Sequence, residues 1–382
     1  MMIYYLGFYD TVDNAKQARG AAPTAVNKMT YIISALERAG YAVEVVSPAA
    51  TMTNKFFKGK TVEIGKKSRL KLFSTWPGQP RISRILGRAS ITLRMLFYFT
   101  LHVKKSDTVI VYHSLALMKI VRLLKKLCRF RLIIEAEEIY GDIRNNKKLS
   151  AKELRYFQIA DGYLFPAKQL EQKVNILHKP YVLIHGIYQT EPEKHAKFQK
   201  PEWQNKIHCV YAGTMDPRKG GAILAAKTAQ YLPQNYHVHI LGAAGTDVRE
   251  QIQTLIDELI QQGSCGVSYD GCLRGEKFVR FLQCCQVGLS TQTPEGDYNN
   301  TSFPSKILTY MSNGLPVVTA HLPVVEESAI HAYMHYYNDA TPQNIAAAIM
   351  DAVHSQKTKN ASDALAELDK QCVTALSNLL GK

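Results

Sequence analysis

Paired cysteine motifs are missing from this 382-residue chain, and acidic residues are scarce in its first half. The seven cysteines, at 128, 209, 265, 272, 284, 285 and 372, form no C-x-x-C pair. An odd number of thiols in a long chain argues against a disulfide framework, so they read as free thiols in a reducing cytosol. The most hydrophobic run, Ile91 to Val103, is interrupted by Arg94, contains His102 and falls short of the ~20 apolar residues a membrane span needs. The apolar start, Met1 to Gly7, has no basic segment and soon meets Asp10, which predicts a first strand rather than an export signal. Glycine (23) and proline (15) are too few for collagen or low-complexity disorder, and an apolar content of 46% fills the cores of two or three domains.

What is abundant is positive charge. Residues 1–190 hold 31 Lys and Arg against 13 Asp and Glu, whereas residues 191–382 hold 16 against 19, so the formal +15 belongs to the first half. Such a field draws an anionic partner, a membrane leaflet or nucleic acid. Segments 82–104 and 117–131 interleave Arg and Lys with Ile, Leu, Met and Phe and predict helices with one apolar and one cationic face. No helix-turn-helix, zinc-finger or RNA-binding signature appears, so the reading is an anionic membrane surface and no nucleic acid. For any single cluster, a merely solvated face stays open.

The chain alternates strand and helix patterns. Ile3 to Phe8 reads as a buried strand, Val26, Met29, Ile33 and Leu36 as one face of a helix opened by Pro23 and stopped by Gly40, and Tyr41 to Val46 as a second strand. That β-α-β unit implies a parallel sheet, which later apolar runs extend to about residue 188. Residues 189–206 are polar, contain two prolines and read as a linker. The alternation then restarts from Ile207. The expected fold class is therefore α/β, with two Rossmann-like doubly wound domains, 1–188 and 207–360, facing each other across a ligand cleft. A last helix within 361–382 is expected to pack back on the first domain.

Two segments carry the chemistry. In Thr301-Ser302-Phe303-Pro304-Ser305-Lys306 a helix opens with hydroxyls and a cation at its N-terminus, an arrangement suited to a diphosphate, although an ordinary cap with a solvated lysine fits as well. In Tyr211-Ala212-Gly213-Thr214-Met215-Asp216-Pro217-Arg218-Lys219 a strand runs into a glycine turn followed by two cations. Elsewhere, Glu137 and Glu138 follow a strand end and could orient or deprotonate a hydroxyl, or form a solvated acidic turn; three carboxylates within Glu135 to Glu138 repel, which pushes one to titrate high. His113, in Tyr112-His113-Ser114, could touch a substrate or be a structural hydrogen-bonding residue. His331 and His335 have the spacing of a zinc pair on a helix, but no third ligand is evident and no metal is expected.

Together these motifs resemble the GT-B type glycosyltransferases, in particular the family-4-like group with its Pro-Ser-Lys-x-x-Glu-Tyr-Met-x-x-Gly-x-Pro-Val segment. The likeness extends over Gly7-Phe8, Arg19 to Lys28, Glu135 to Tyr140 and Ile184 to Tyr188. It implies a metal-independent retaining hexosyltransferase, without a cofactor, that moves sugar from a nucleoside diphosphate, UDP above all, to a growing surface glycan or lipid-linked oligosaccharide. It assigns the donor to Gly213, Thr214, Arg218, Lys219, Thr301, Ser302, Ser305, Lys306 and Thr309, and places Arg19, Asn27 and Lys28 at a loop bordering donor or acceptor. Glu138, His113 and Lys219 are then the catalytic candidates. Thr301 and Thr309 stand where many family members carry two glutamates eight positions apart. That departure keeps open a catalytically silent partner subunit, and a nucleotide-sugar epimerase is the other alternative. No Asp-x-Asp occurs, which removes the usual metal bridge of the other major glycosyltransferase architecture. The expected location is the cytoplasmic face of a membrane, with an oligomer possible.

Overall fold

Valine and isoleucine runs buried on both faces force parallel pairing here, because each strand needs helices above and below it. The computed structural model describes residues 2–192, 203–213, 215, 220–292, 297–355 and 361–381. The chain divides into two compact units, Met1–Ile187 with Lys370–Lys382, and Tyr188–Asp369.

The first unit is built on eight strands: β1 (Met2–Leu6), β2 (Ala42–Ser47), β3 (Lys60–Glu63), β4 (Ser68–Leu72), β5 (Thr108–Tyr112), β6 (Arg131–Glu135), β7 (Gly162–Phe165) and β8 (Tyr181–Leu183). Their order is β3-β4-β2-β1-β5-β6-β7-β8, parallel except for the antiparallel β3–β4 edge pair. The helix Pro23–Arg38 turns its Met29, Ile32, Ile33 and Leu36 inward, and Gly40 leaves it with φ +86°. The β3–β4 hairpin was not evident from the apolar pattern. Of the last helix, Ala361–Leu380, the part from Lys370 belongs to this unit, where Arg131 Nη2 donates to the Leu379 carbonyl at 2.7 Å.

The second unit holds β9 (Ile207–Ala212), β10 (Tyr236–Leu241), β11 (Gly266–Gly271), β12 (Val287–Ser290), β13 (Val317–Ala320) and β14 (Met334–Tyr337). The sheet order β11-β10-β9-β12-β13-β14 is parallel throughout. Numbered within the unit this is 3-2-1-4-5-6, whose strand order reverses beside the first strand, the place where such sheets bind ligands at their carboxyl ends. In the first sheet the same reversal lies between β1 and β5. Both units are thus doubly wound, as the alternation predicted. His331 and His335 are not on one helix: a short turn, His331–Tyr333, leads into β14, and His335 Nδ1 meets Asp351 Oδ2 at 2.8 Å. Trp203, which composition assigns to the linker, stacks on His208 and His239 of the second unit.

Candidate active site

The second unit's site forms where β9 and β12 diverge. Their pairing covers Cys209 and Val210, and beyond it the Tyr310 hydroxyl spans the gap, accepting from Ala212 N–H at 2.7 Å and donating to the Leu289 carbonyl at 3.1 Å. Tyr310 lies on the helix Lys306–Ser312, whose Ile307, Leu308 and Met311 are also buried. That helix start sets Lys306 over the end of β9: its Nζ stands 4.0 Å from the Tyr211 ring centroid and would be 3.1 Å from a Cβ on Gly213. Glycine at 213 therefore leaves room for the ammonium. Among the described residues Lys306 Nζ has no hydrogen bond or carboxylate partner. Burial of the amine away from water lowers its pKa to about 7, even though part of the side chain reaches the surface.

The rest of the site is close backbone. The helix Gly221–Lys227 starts so near β12 that a Cβ on Gly221 would stand 2.4 Å from the Thr291 carbonyl oxygen, and Thr291 Oγ1 donates to Gly221 O at 2.7 Å. Thr301 is buried, Ser302 and Thr309 are half-buried, and Ser305 is exposed and makes no side-chain cap bond. Thr214, Arg218 and Lys219 lie outside the described residues. Sequence reasoning gave neither Tyr310 nor Tyr211 a role in the site; the Lys-x-x-x-Tyr spacing of the resembled segment was the signal for the first.

In the first unit, carboxylates gather at the end of β6. Glu135 is fully buried, its Oε2 takes the Tyr5 hydroxyl, and its Oε1 has no partner among the described residues. Burial above all, with the Glu137 charge adding, pushes its pKa up to about 8. Glu137 instead holds Lys28, whose Nζ lies 2.5 Å from Glu137 Oε1 and 2.9 Å from the Ile184 carbonyl. Glu138 is half-buried beside them. The high-titrating member of the acidic trio is thus Glu135, which local sequence could not single out.

Other predicted residues are occupied by the fold itself. Arg19 is buried, donating from Nη1 to Ala49 O at 2.9 Å, from Nη2 to Phe73 O at 3.0 Å and from Nε to Gln17 at 2.8 Å, so it clamps its own loop. Asn27 is exposed. His113 is enclosed against Tyr156 and Phe157, with Nε2 2.8 Å from Glu153 Oε1, a carboxylate that also takes the Tyr140 and Gly141 amides. Among the described residues no cluster of three or more His, Cys, Asp or Glu is placed to hold a metal ion.

Residues 206–355 match the family model described as glycosyl transferases group 1. No curated protein sequence matches the chain. Among solved structures, the trehalose-6-phosphate protein from E. coli bound with UDP-2-fluoro glucose is similar over 100% of this chain and 99% of its own, at 13% identity and a TM-score of 0.70. The α,α-trehalose 6-phosphate synthase of Burkholderia multivorans covers 99% and 94% at 8% identity, also with a TM-score of 0.70. HepE of Anabaena, solved with UDP and glucose, covers 98% and 97% at 14% identity and a TM-score of 0.65. Residues 206–355 are thus similar to the glycosyl transferases group 1 domain, and the chain carrying them has the two-sheet fold of the GT-B glycosyltransferases.

Proposed function

We propose that the protein is a retaining glycosyltransferase that takes a sugar from a UDP-sugar, without a metal, and adds it to a growing surface glycan or lipid-linked oligosaccharide at the cytoplasmic side of a membrane. The observation that carries the donor side is Lys306: a cation fixed over Tyr211 at the end of β9, lacking an anion among the described residues. A diphosphate beside it restores its full charge, and as negative charge grows on the leaving group that attraction strengthens. Fixed cations can do this without a divalent ion, and Arg218 and Lys219 are proposed to add to it. UDP is favoured because two of the structural neighbours were solved with UDP compounds. On the acceptor side, Glu138 is the proposed group for orienting or deprotonating the hydroxyl.

Calorimetry of the purified protein against UDP, GDP, ADP, dTDP and their common sugars, with and without Mg²⁺, tests the donor. Saturable binding of one nucleotide, unchanged by chelation and weakened tenfold or more in Lys306→Ala, is expected; no response to any nucleotide sinks the reading. A second reading rests on Thr301 and Thr309, neither of which can supply a carboxylate. In a silent partner subunit, nucleotide binds or fails to bind but no sugar is ever transferred or hydrolysed, which product analysis distinguishes.

A further inference from the structure

The helix Arg81–His102 of the first unit is apolar on two opposite sides. One side is the expected one: Gly87, Ile91, Met95 and Phe99 recur every fourth residue and are buried, and Ile91, Met95 and Phe99 enter the core formed with Leu117, Val121 and Phe130. The Tyr98 hydroxyl bonds to Glu44 of β2, which fixes the helix in rotation. Opposite the buried row, Ile82, Leu86, Leu93 and Phe97 point outward and are 62–71% exposed. At 1.5 Å per residue this outward row runs for about 22 Å. A water-facing helix does not ordinarily carry four such side chains in line, and an apolar strip of this length marks a docking surface.

The charge around the row identifies what covers it. Neither Arg81–His102 nor the neighbouring helix Met118–Cys128 contains an acidic residue. Arg81, Arg84, Arg88 and Arg94 are all exposed on the first helix. The second exposes Leu123 and Leu127 together with Lys119, Arg122 and Lys126. Next to the first helix, Trp76 packs at Gly87, where a Cβ would stand 3.1 Å from Trp76 Cβ, and its half-exposed ring meets the exposed Phe56 edge-on at 6.1 Å. An outward apolar row on a helix whose charged side chains are all cationic, beside a second helix that exposes leucine together with lysine and arginine, matches the boundary between acyl chains and anionic headgroups. A protein partner of this chemistry would need an acidic rim around an apolar groove; an anionic leaflet supplies both over any length.

We infer that the outward row of Arg81–His102 inserts into an anionic lipid leaflet, with Ile82, Leu86, Leu93 and Phe97 among the acyl chains and the exposed cations of the two helices supplying the attraction to lipid phosphates. Charge then draws the protein to the surface, and apolar burial holds it there. No helix among the described residues is long and apolar enough to cross a membrane, so this is insertion into one leaflet. The inference rests on the transferase reading only in giving that location a purpose, a lipid-linked acceptor.

The test is sedimentation of the full chain with vesicles of phosphatidylcholine alone and of equal parts phosphatidylcholine and phosphatidylglycerol, with no nucleotide present. Wild type is expected to bind the mixed vesicles, and Leu93→Ser/Phe97→Ser to bind at least tenfold more weakly at every salt concentration, because two large apolar side chains leave the acyl region. Arg84→Gln/Arg88→Gln is expected to weaken binding chiefly at low salt. Because all four positions face solvent, unchanged thermal unfolding confirms intact folding. Failure of wild type to bind, or equal binding by the serine variant, overturns the inference. So does a dimer in sedimentation velocity that the serine substitutions dissolve, with no vesicle binding, since the row then belongs to a second copy. UDP calorimetry on the same samples separates this result from the donor reading: either can fail while the other stands.

Discussion

The ring of Tyr310 occupies the space that a side chain on Gly288 would need: a Cβ there would stand 2.3 Å from Tyr310 Cγ. Glycine in β12 thus admits the tyrosine to the fork between β9 and β12, where its hydroxyl satisfies Ala212 N–H and Leu289 C=O after strand pairing has ended. Tyr310→Phe leaves both buried groups without that partner, and is expected to lower unfolding free energy by about 1–3 kcal/mol. Urea denaturation measures it. Gly288→Ala must move the ring as well, so it is expected to cost more and to weaken UDP binding, because Lys306 is on the same short helix.

Lys306 gives the proposed donor site a pH signature. With a pKa near 7 in the free protein, the amine is largely charged at pH 6 and largely neutral at pH 8. Binding a diphosphate favours the charged form, so above pH 7 binding must take up a proton, and affinity falls with rising pH, by at most tenfold per unit. UDP-glucose is the right probe because its diphosphate has no proton to lose in this range. Calorimetry from pH 6 to pH 9 is expected to show this decline in wild type and a flat, weaker profile in Lys306→Met. A flat wild-type profile would remove Lys306 from the diphosphate.

What the sequence disclosed follows from how local each signal is. The helix Pro23–Arg38 was legible because its start, its period and its Gly40 stop lie within eighteen residues. The second unit's strand run at β9, β10, β12 and β13 was legible for the same reason. The β3–β4 pair was not, because β3 (KTVE) has a single apolar residue and the alternation of Leu70 and Leu72 in β4 spans only five residues. β14 was masked by His331 and His335, whose spacing imitates a helical ligand pair. Segment 82–104 was correctly helical, yet which of its apolar residues faced the core needed the packing of Phe99 and Met95 to decide. In the site, residue types pointed to Lys306, while Arg19 and Lys28 looked like free cations because their partners, Ala49, Phe73, Glu137 and Ile184, are distant in sequence.

Glu135 should make the first unit less stable as pH rises. Its pKa is raised to about 8 in the folded protein from an ordinary value of 4.5, so between these limits the folded state holds a proton that the unfolded state has lost. Stability therefore declines from pH 4.5 towards pH 8 and the contribution levels off above it. Glu135→Gln keeps the shape and the acceptor for Tyr5 and removes the titration. It is expected to raise the melting temperature at pH 8 by several degrees and to change it little at pH 4.5. An equal effect at both would assign the change to packing instead of protonation.

The histidines of the second sheet act in the opposite direction. His208 on β9 and His237 and His239 on β10 stand side by side, with His237 and His239 stacked at 4.2 Å and His208 Nδ1 2.9 Å from His239 Nε2. Asp270 holds His239 from its other side at 3.0 Å. Burial first, and then the charges of the two neighbouring imidazoles, lower the His237 pKa to about 3 from 6.5. An unfolded chain takes up a proton at this residue as pH falls below 6.5, while the folded one resists until pH 3, so its stabilising contribution is complete above 6.5 and is lost progressively down to 3. Because His237 is only partly buried, solvent screening keeps the loss to a few degrees of melting temperature, not the full shift. His237→Gln, whose amide can still reach Ser268 Oγ, 2.9 Å from His237 Nε2 in the native sheet, is expected to flatten the decline between pH 6.5 and pH 4. If the variant melts with the wild-type pH slope, the acid sensitivity lies in another group.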